Sequence, residues 1–179
     1  MVSQLCSEAP LPTSPATVYS SRMAHETPRV KDDRVYTYGD YLEWPDEEQW
    51  EILEGVAYDM SPAPSRRHQA MLTELLRQIA NYLQDKPCEA YPAAFDVRLP
   101  ERAEQEDRDI TTVVQPDIVV VCRADRLDDR GARGAPDLAI EIISPSSASK
   151  DVIKKRRIYE RHGVREYWIV DLSNRILYV

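Results

Sequence analysis

The stretch DLAIEIIS, residues 137–144, constrains the fold most. It has the length of a strand, and hydrocarbon fills almost every position on both alternating faces, which is the pattern of a central strand covered on two sides. Side chains alternate along a strand, so Ala139, Glu141 and Ile143 share one face and Leu138, Ile140 and Ile142 the other. One acid, Glu141, therefore points into a packed layer or a cleft. A buried lone carboxylate is costly and needs a base, a metal ion or a bound proton.

The elements around this strand follow from periodicity and punctuation. TYGDYLEW predicts a short helix, and WEILEGVAYDM an antiparallel hairpin turning at Glu54 and Gly55. In SPAPSRRHQAMLTELLRQIANYLQDKP, residues Leu72, Leu75, Leu76, Ile79 and Leu83 recur at helical spacing between Pro64 and Pro87. YPAAFDVRLP and the β-branched VVQPDIVVVC each predict one strand, while ERAEQEDRDITT and RADRLDDRGARGAP predict loops. Serines 146, 147 and 149 offer N-caps to a helix KDVIKKRRIYERHG that closes at Gly163. REYWIVDLSNRILYV predicts two strands around Ser173 and Asn174. The order implies an α/β (α+β) domain, a mixed central β-sheet flanked by helices. The last strand reads as an edge strand or as one that continues past the sequence.

At 179 residues the chain is the size of one domain. Residues 1–34, rich in Ser, Thr, Pro and charge, read as a disordered tail before a domain at 35–179. No apolar run is long enough for a bilayer span, and the first twenty residues lack a signal peptide's basic start and apolar stretch, so a cytoplasmic location is expected. Cys6, Cys88 and Cys122 form neither a disulfide framework nor a zinc pattern and read as small hydrophobes or incidental thiols. A net charge of −8 excludes binding to nucleic acid by overall basicity. Local positive charge is confined to Arg66, Arg67, Arg156, Arg157, Arg161 and Arg165, which either rim a site or form solvated helix faces.

Asp117 in QPDIVVVC opens the strand expected beside that of Glu141. Two acids brought together across adjacent strands need positive charge between them, and Mg²⁺, an oxygen-seeking ion that keeps several waters, suits them. Read alone, Asp117 is also compatible with a Pro-Asp turn, and Glu141 with a structural salt bridge. On the following helix Asp151, Lys155 and Tyr159 fall four residues apart and share a face. Lys155 could reach back to the end of the Glu141 strand or simply pair with Asp151.

Taken together, WEILEGVAYDMSPAPSRRH, QPDIVVV, DLAIEIISPSS and KDVIKKRRIYERHGVREYWIVD resemble the Uma-two family of restriction-endonuclease-like proteins, within the PD-(D/E)XK nuclease superfamily. The likeness runs from about Tyr36 to the C-terminus. It implies a metal-dependent phosphodiesterase site in which Asp117 and Glu141 bind Mg²⁺ or Mn²⁺. The superfamily's lysine two residues after the second acid is absent, since Ile143 stands there. The resemblance implies that Lys155 replaces it from the helix, with Lys150 and Lys154 as alternative donors. It further marks Glu51 as an additional acid, His68 as a recurrent histidine and Asp96 as a weaker candidate. The expected activity is endonucleolytic hydrolysis of DNA by a homodimer, with no membrane association. The alternative is an inactive nuclease fold that serves in binding or assembly.

Overall fold

The computed structural model describes residues 31–45, 48–60, 64–143 and 150–179. The side chains of residues 150–152, Asp151 among them, and the three serines expected to cap the last helix lie outside the described residues.

The chain opens with a short helix α1 (Tyr38–Tyr41), which Thr37 and Asp40 close with a capping box. The hairpin β1 (Trp50–Leu53) and β2 (Val56–Asp59) follows, turning at Glu54 and Gly55, both at positive φ. The long amphipathic helix α2 (Arg66–Leu83) starts at an N-cap serine, Ser65, whose side chain accepts the His68 backbone N–H. Then come β3 (Glu89–Pro92), β4 (Val97–Arg98), β5 (Val113–Val114), β6 (Ile118–Val121), β7 (Leu127–Asp128) and β8 (Gly131–Arg133). The chain ends with β9 (Leu138–Ile143), α3 (Lys150–His162), β10 (Glu166–Asp171) and β11 (Ile176–Tyr178).

The strands form two mixed sheets. One has the order β2-β1-β5-β4-β8-β7, the other β11-β10-β9-β6-β3. In the second, β9 has neighbours on both sides, parallel to β10 and antiparallel to β6, as its hydrocarbon content requires. The α3 helix connects the two parallel strands, which no tight turn could join. Helix α2 packs on β3 and β9, and α3 on β10. A core of Leu53, Val97, Leu99 and Val114 from the first sheet meets Val119 and Ala139 of the second beneath Ile158 and Tyr159 of α3. A smaller core joins Tyr36 and Tyr38 to Ile52, Ala57, Ile110 and Val113.

Four sequence expectations change. VVQPDIVVVC is two strands in different sheets, because Pro116 has no N–H for a ladder and the chain crosses between the sheets there. YPAAFDVRLP likewise divides into β3 in one sheet and β4 in the other, crossing over residues 93–96. The two crossings lie side by side, with the Ala93 N–H donating to the Asp117 carbonyl at 3.0 Å. The expected loop at 123–136 contains the hairpin β7–β8, whose turn is held by Asp128 accepting the Arg130 N–H and by Gly131 at a φ of +126°. Finally, Cys88 and Cys122 form a disulfide instead of standing as separate thiols. The β3–β6 register pairs Glu89 with Val121, and one further step brings the two cysteines opposite each other.

Candidate active site

The crossing at Pro116 sets Asp117 at the entry to β6. The β6–β9 register pairs Ile118 with Ile140, so one step further places Asp117 opposite Glu141. Asp117 Oδ2 accepts the backbone N–H of Ile142 at 2.7 Å and lies 3.2 Å from His68 Nε2 on α2. Glu141 Oε1 accepts from Lys155 Nζ at 2.9 Å and from the Tyr159 hydroxyl at 3.1 Å. Both donors belong to α3, one helical turn apart, which is why their side chains meet on one face.

Glu51 arrives from the other sheet. Its Oε1 accepts the Gln115 backbone N–H and Lys155 Nζ, each at 2.7 Å. Lys155, only 6% exposed, thus joins an acid of each sheet through one ammonium. Of the other donors considered, Lys154 turns to the Leu53 carbonyl and the Tyr58 hydroxyl. The side chain of Lys150 lies outside the described residues.

Burial dominates the electrostatics. It raises the Glu141 carboxyl to about 7, with Glu51 and Asp117 adding to the effect and Lys155 opposing it. The Asp117 carboxyl is also raised by burial, against the Ile142 N–H, His68 and Lys155. For Lys155 burial works against the charge, but Glu141 and Glu51 outweigh it and hold the ammonium above its ordinary range. One cation among three acids keeps its proton, and the surplus negative charge is relieved at a carboxylate. Tyr159 is raised well above its ordinary value by burial and by the neighbouring acids, so its hydroxyl stays a donor.

The structure therefore brings Glu51, His68, Asp117, Glu141 and Lys155 together. Asp96 stands apart, with Oδ1 accepting from the Tyr41 hydroxyl at 3.2 Å and Gln115 Nε2 at 2.8 Å. Gln115 escaped the sequence reading. Its contribution to Glu51 is a backbone N–H, and no residue type announces that. Two buried polar atoms near this cluster, His68 Nδ1 and the Tyr167 hydroxyl, have no partner among the described residues.

No group of three or more His, Cys, Asp or Glu side chains suited to a metal occurs among the described residues. The acids do leave room for a hard ion, since Asp117 Oδ1 and Glu141 Oε2 accept no hydrogen bond from the described residues. Two carboxylate oxygens with water completing the shell fit Mg²⁺ or Mn²⁺ and do not fit a zinc site.

A family model, Uma2, described as "Putative restriction endonuclease", matches residues 38–179. The chain belongs to the Uma2 family. The match takes in all five clustered residues of this Uma2 chain. The fold is similar to the crystal structure of a "putative nuclease belonging to DUF820" from Anabaena variabilis, with a TM-score of 0.63 at 23% identity. That likeness covers 79% of the Uma2 chain and 78% of the other, and it speaks to the fold alone. No curated protein matches the sequence.

The arginines around the Uma2 site divide into two groups. Arg161 is engaged by Glu54 and Glu101, and Arg165 by Asp137. Arg66, Arg156 and Arg157 are exposed and have no acidic partner among the described residues. No helix among the described residues is long and apolar enough to cross a membrane.

Proposed function

We propose that this chain is a Mg²⁺-dependent endonuclease, able to use Mn²⁺, that hydrolyses phosphodiester bonds in DNA. The observation that carries the reading is the single ammonium of Lys155 shared by Glu51 and Glu141, with Asp117 opposite Glu141. Asp117 and Glu141 would hold the ion. When bound, Mg²⁺ supplies positive charge to a phosphoryl group and acidifies water.

The protein's own groups then have distinct tasks. An ammonium has three N–H donors, and Lys155 commits two to Glu51 and Glu141. The third donates to a phosphate oxygen or to the attacking water, stabilising charge as it develops. Because the acids hold Lys155 protonated, it acts as a donor and not as a base. The other groups position the acids: His68 and the Ile142 N–H fix Asp117, Tyr159 fixes Glu141, and the Gln115 N–H fixes Glu51. Arg66, Arg156 and Arg157 meet the phosphate backbone. The proposal takes the enzyme as a homodimer, because β11 is an edge strand that exposes Ile176, Leu177 and Tyr178.

Nicking of supercoiled DNA by purified protein, with Mg²⁺, with Mn²⁺ and with chelator, tests the reading. Metal-dependent nicking that disappears in Glu141→Gln, together with metal binding by calorimetry that weakens in the same variant, is the expected result. A folded wild-type protein that binds neither ion at millimolar concentration would point instead to an inactive nuclease fold. Sedimentation showing only monomer would remove the dimer from the proposal.

A further inference from the structure

The two crossings between the sheets enclose a second feature, one that the cleavage site does not use. A cleft of about 500 Å³ opens beside Asp96, bordered by Tyr91, Phe95, Gln115, Arg130 and Gly131. Its size is that of a small-ligand pocket. Tyr91 and Phe95 stack with centroids 4.4 Å apart and planes within 8° of parallel. The Tyr91 hydroxyl donates to Glu89 at 2.6 Å, so what the tyrosine offers the cleft is its ring.

Beside the rings the polar groups are mainly acceptors. Asp96 Oδ1 is occupied by Tyr41 and Gln115, but Asp96 Oδ2 and the Gln115 side-chain oxygen take no hydrogen bond from the described residues. At the mouth, Asp128 is already engaged by Arg98 and by the Arg130 N–H. The Arg130 guanidinium forms no salt bridge among the described residues, although its charge helps to lower the Asp128 carboxyl, and Asp129 stands beside it. Gly131 makes this arrangement possible. A Cβ there would come within 2.2 Å of the Asp96 carbonyl oxygen, so only glycine lets the β7–β8 turn close over Asp96.

A flat ligand that stacks on an aromatic face and presents adjacent N–H donors to the open carboxylate oxygen of Asp96 and the amide oxygen of Gln115 fits this chemistry, with an anion on its mouth side for Arg130. Among the nucleobases, guanine alone places a ring N–H and an amino N–H side by side on one edge. We propose that the cleft binds a guanine nucleotide, its base against Phe95 and Tyr91, its donor edge on Asp96 Oδ2 and the Gln115 side-chain oxygen, and its phosphate on Arg130. Gln115 joins this cleft to the cleavage site, because its side chain holds Asp96 while its backbone N–H holds Glu51. Building on the DNA-cleaving reading above, the cleft is a specificity pocket for an unstacked guanine near the scissile phosphate. Extruding a base from a duplex sacrifices stacking and pairing, so single-stranded or distorted DNA is the preferred form.

The test is calorimetric binding of the four deoxynucleoside monophosphates to the full chain without metal. Deoxyguanosine monophosphate should bind in the millimolar range or tighter, with the other three weaker by roughly tenfold or more, the usual consequence of a donor–acceptor mismatch in a half-buried site. Asp96→Asn should lose about the same factor. Arg130→Gln, an exposed change that leaves the fold alone, should weaken the nucleotide but not free deoxyguanosine, and Asp129→Asn should tighten the nucleotide. Equal binding of all four nucleotides, binding of spermidine in place of any nucleotide, or no effect of Arg130→Gln on the nucleotide would each overturn the proposal. Because the assay contains no metal and no cleavage step, its failure is separate from a failure of nicking. A protein that nicks DNA without guanine selectivity keeps the cleavage reading and loses this one.

Discussion

Lys155 and Glu51, 104 positions apart in the chain, meet at 2.7 Å in a place that water hardly reaches. A buried charge that loses its partner pays its full desolvation cost, whereas loss of both partners together costs much less. Lys155→Ala should therefore destabilise the protein by about 3–5 kcal/mol. The double variant Lys155→Met with Glu51→Gln should recover much of that loss. Urea unfolding followed by circular dichroism measures both, and equal stability of the two variants would contradict the buried-pair account.

Metal binding should depend on pH through Glu141. Its carboxyl is raised to about 7, and a ligand must lose its proton before it can hold an ion, so affinity rises with pH across that value. At pH 6 the affinity should be about tenfold lower than at pH 8, the competition of one proton. The metal-free protein shows the opposite linkage. The folded state binds a proton that the unfolded chain has released, so stability falls as pH rises from the ordinary glutamate value of 4.5 to about 7. Calorimetry and thermal melting at a series of pH values read the two slopes, and Glu141→Gln should flatten both.

Arg98, at 1% exposure the largest fully buried side chain, donates to Asp107 and Asp128 at 2.6 Å each and lies over the Tyr38 ring. Arg98→Ala removes the cation from Asp128, leaves Asp107 with Arg133 alone and opens a void in the core; because both acids are partly exposed, the void dominates the loss of about 2–5 kcal/mol. Arg98→Met should be milder because it keeps the hydrocarbon stem. The Asp128 carboxyl, though burial pushes it up, is held below its ordinary value of 3.8 by Arg98 and the Arg130 N–H. Its contribution is therefore present above that value and lost as pH falls through the lower, folded one. It is a small contribution, since the Asp128 side chain is 49% exposed.

Two glycines at positive φ should respond differently to alanine. Gly163, at the end of α3, has open space where a Cβ would go, so Gly163→Ala should cost only the left-handed strain, about 1 kcal/mol. At Gly131 the same change also drives a methyl group into the Asp96 backbone, and the loss should be larger by about 1–3 kcal/mol. Melting temperatures of the two variants rank them, and the reverse order would refute the close approach of β7–β8 to Asp96.

The sequence made β9 and α3 legible because hydrocarbon periodicity and a terminal glycine mark them without reference to anything distant. Glu141 stood out for the same reason, as an acid against that periodicity. The division of VVQPDIVVVC was written in Pro116, but the proline has two outcomes, an edge strand or a change of sheet, and only the packing of the second sheet chooses between them. The β7–β8 hairpin was hidden because LDDRGAR is polar and short, and its support comes from β4 and from Arg98. Gln115 was invisible, since its link to Glu51 is a main-chain N–H. The meeting of Glu51 with Lys155 follows from the docking of the two sheets under α3, a property of the finished fold.

That docking sets the order in which the centre can come into being. Glu51 leaves the ribosome long before Lys155, and neither the first sheet alone nor the second alone contains both. A nascent or half-folded chain thus carries no complete set of acids around an ammonium. The crossings at residues 93–96 and 115–117 make the centre a product of the final assembly, so the proposed nuclease centre stays unarmed until the molecule is whole.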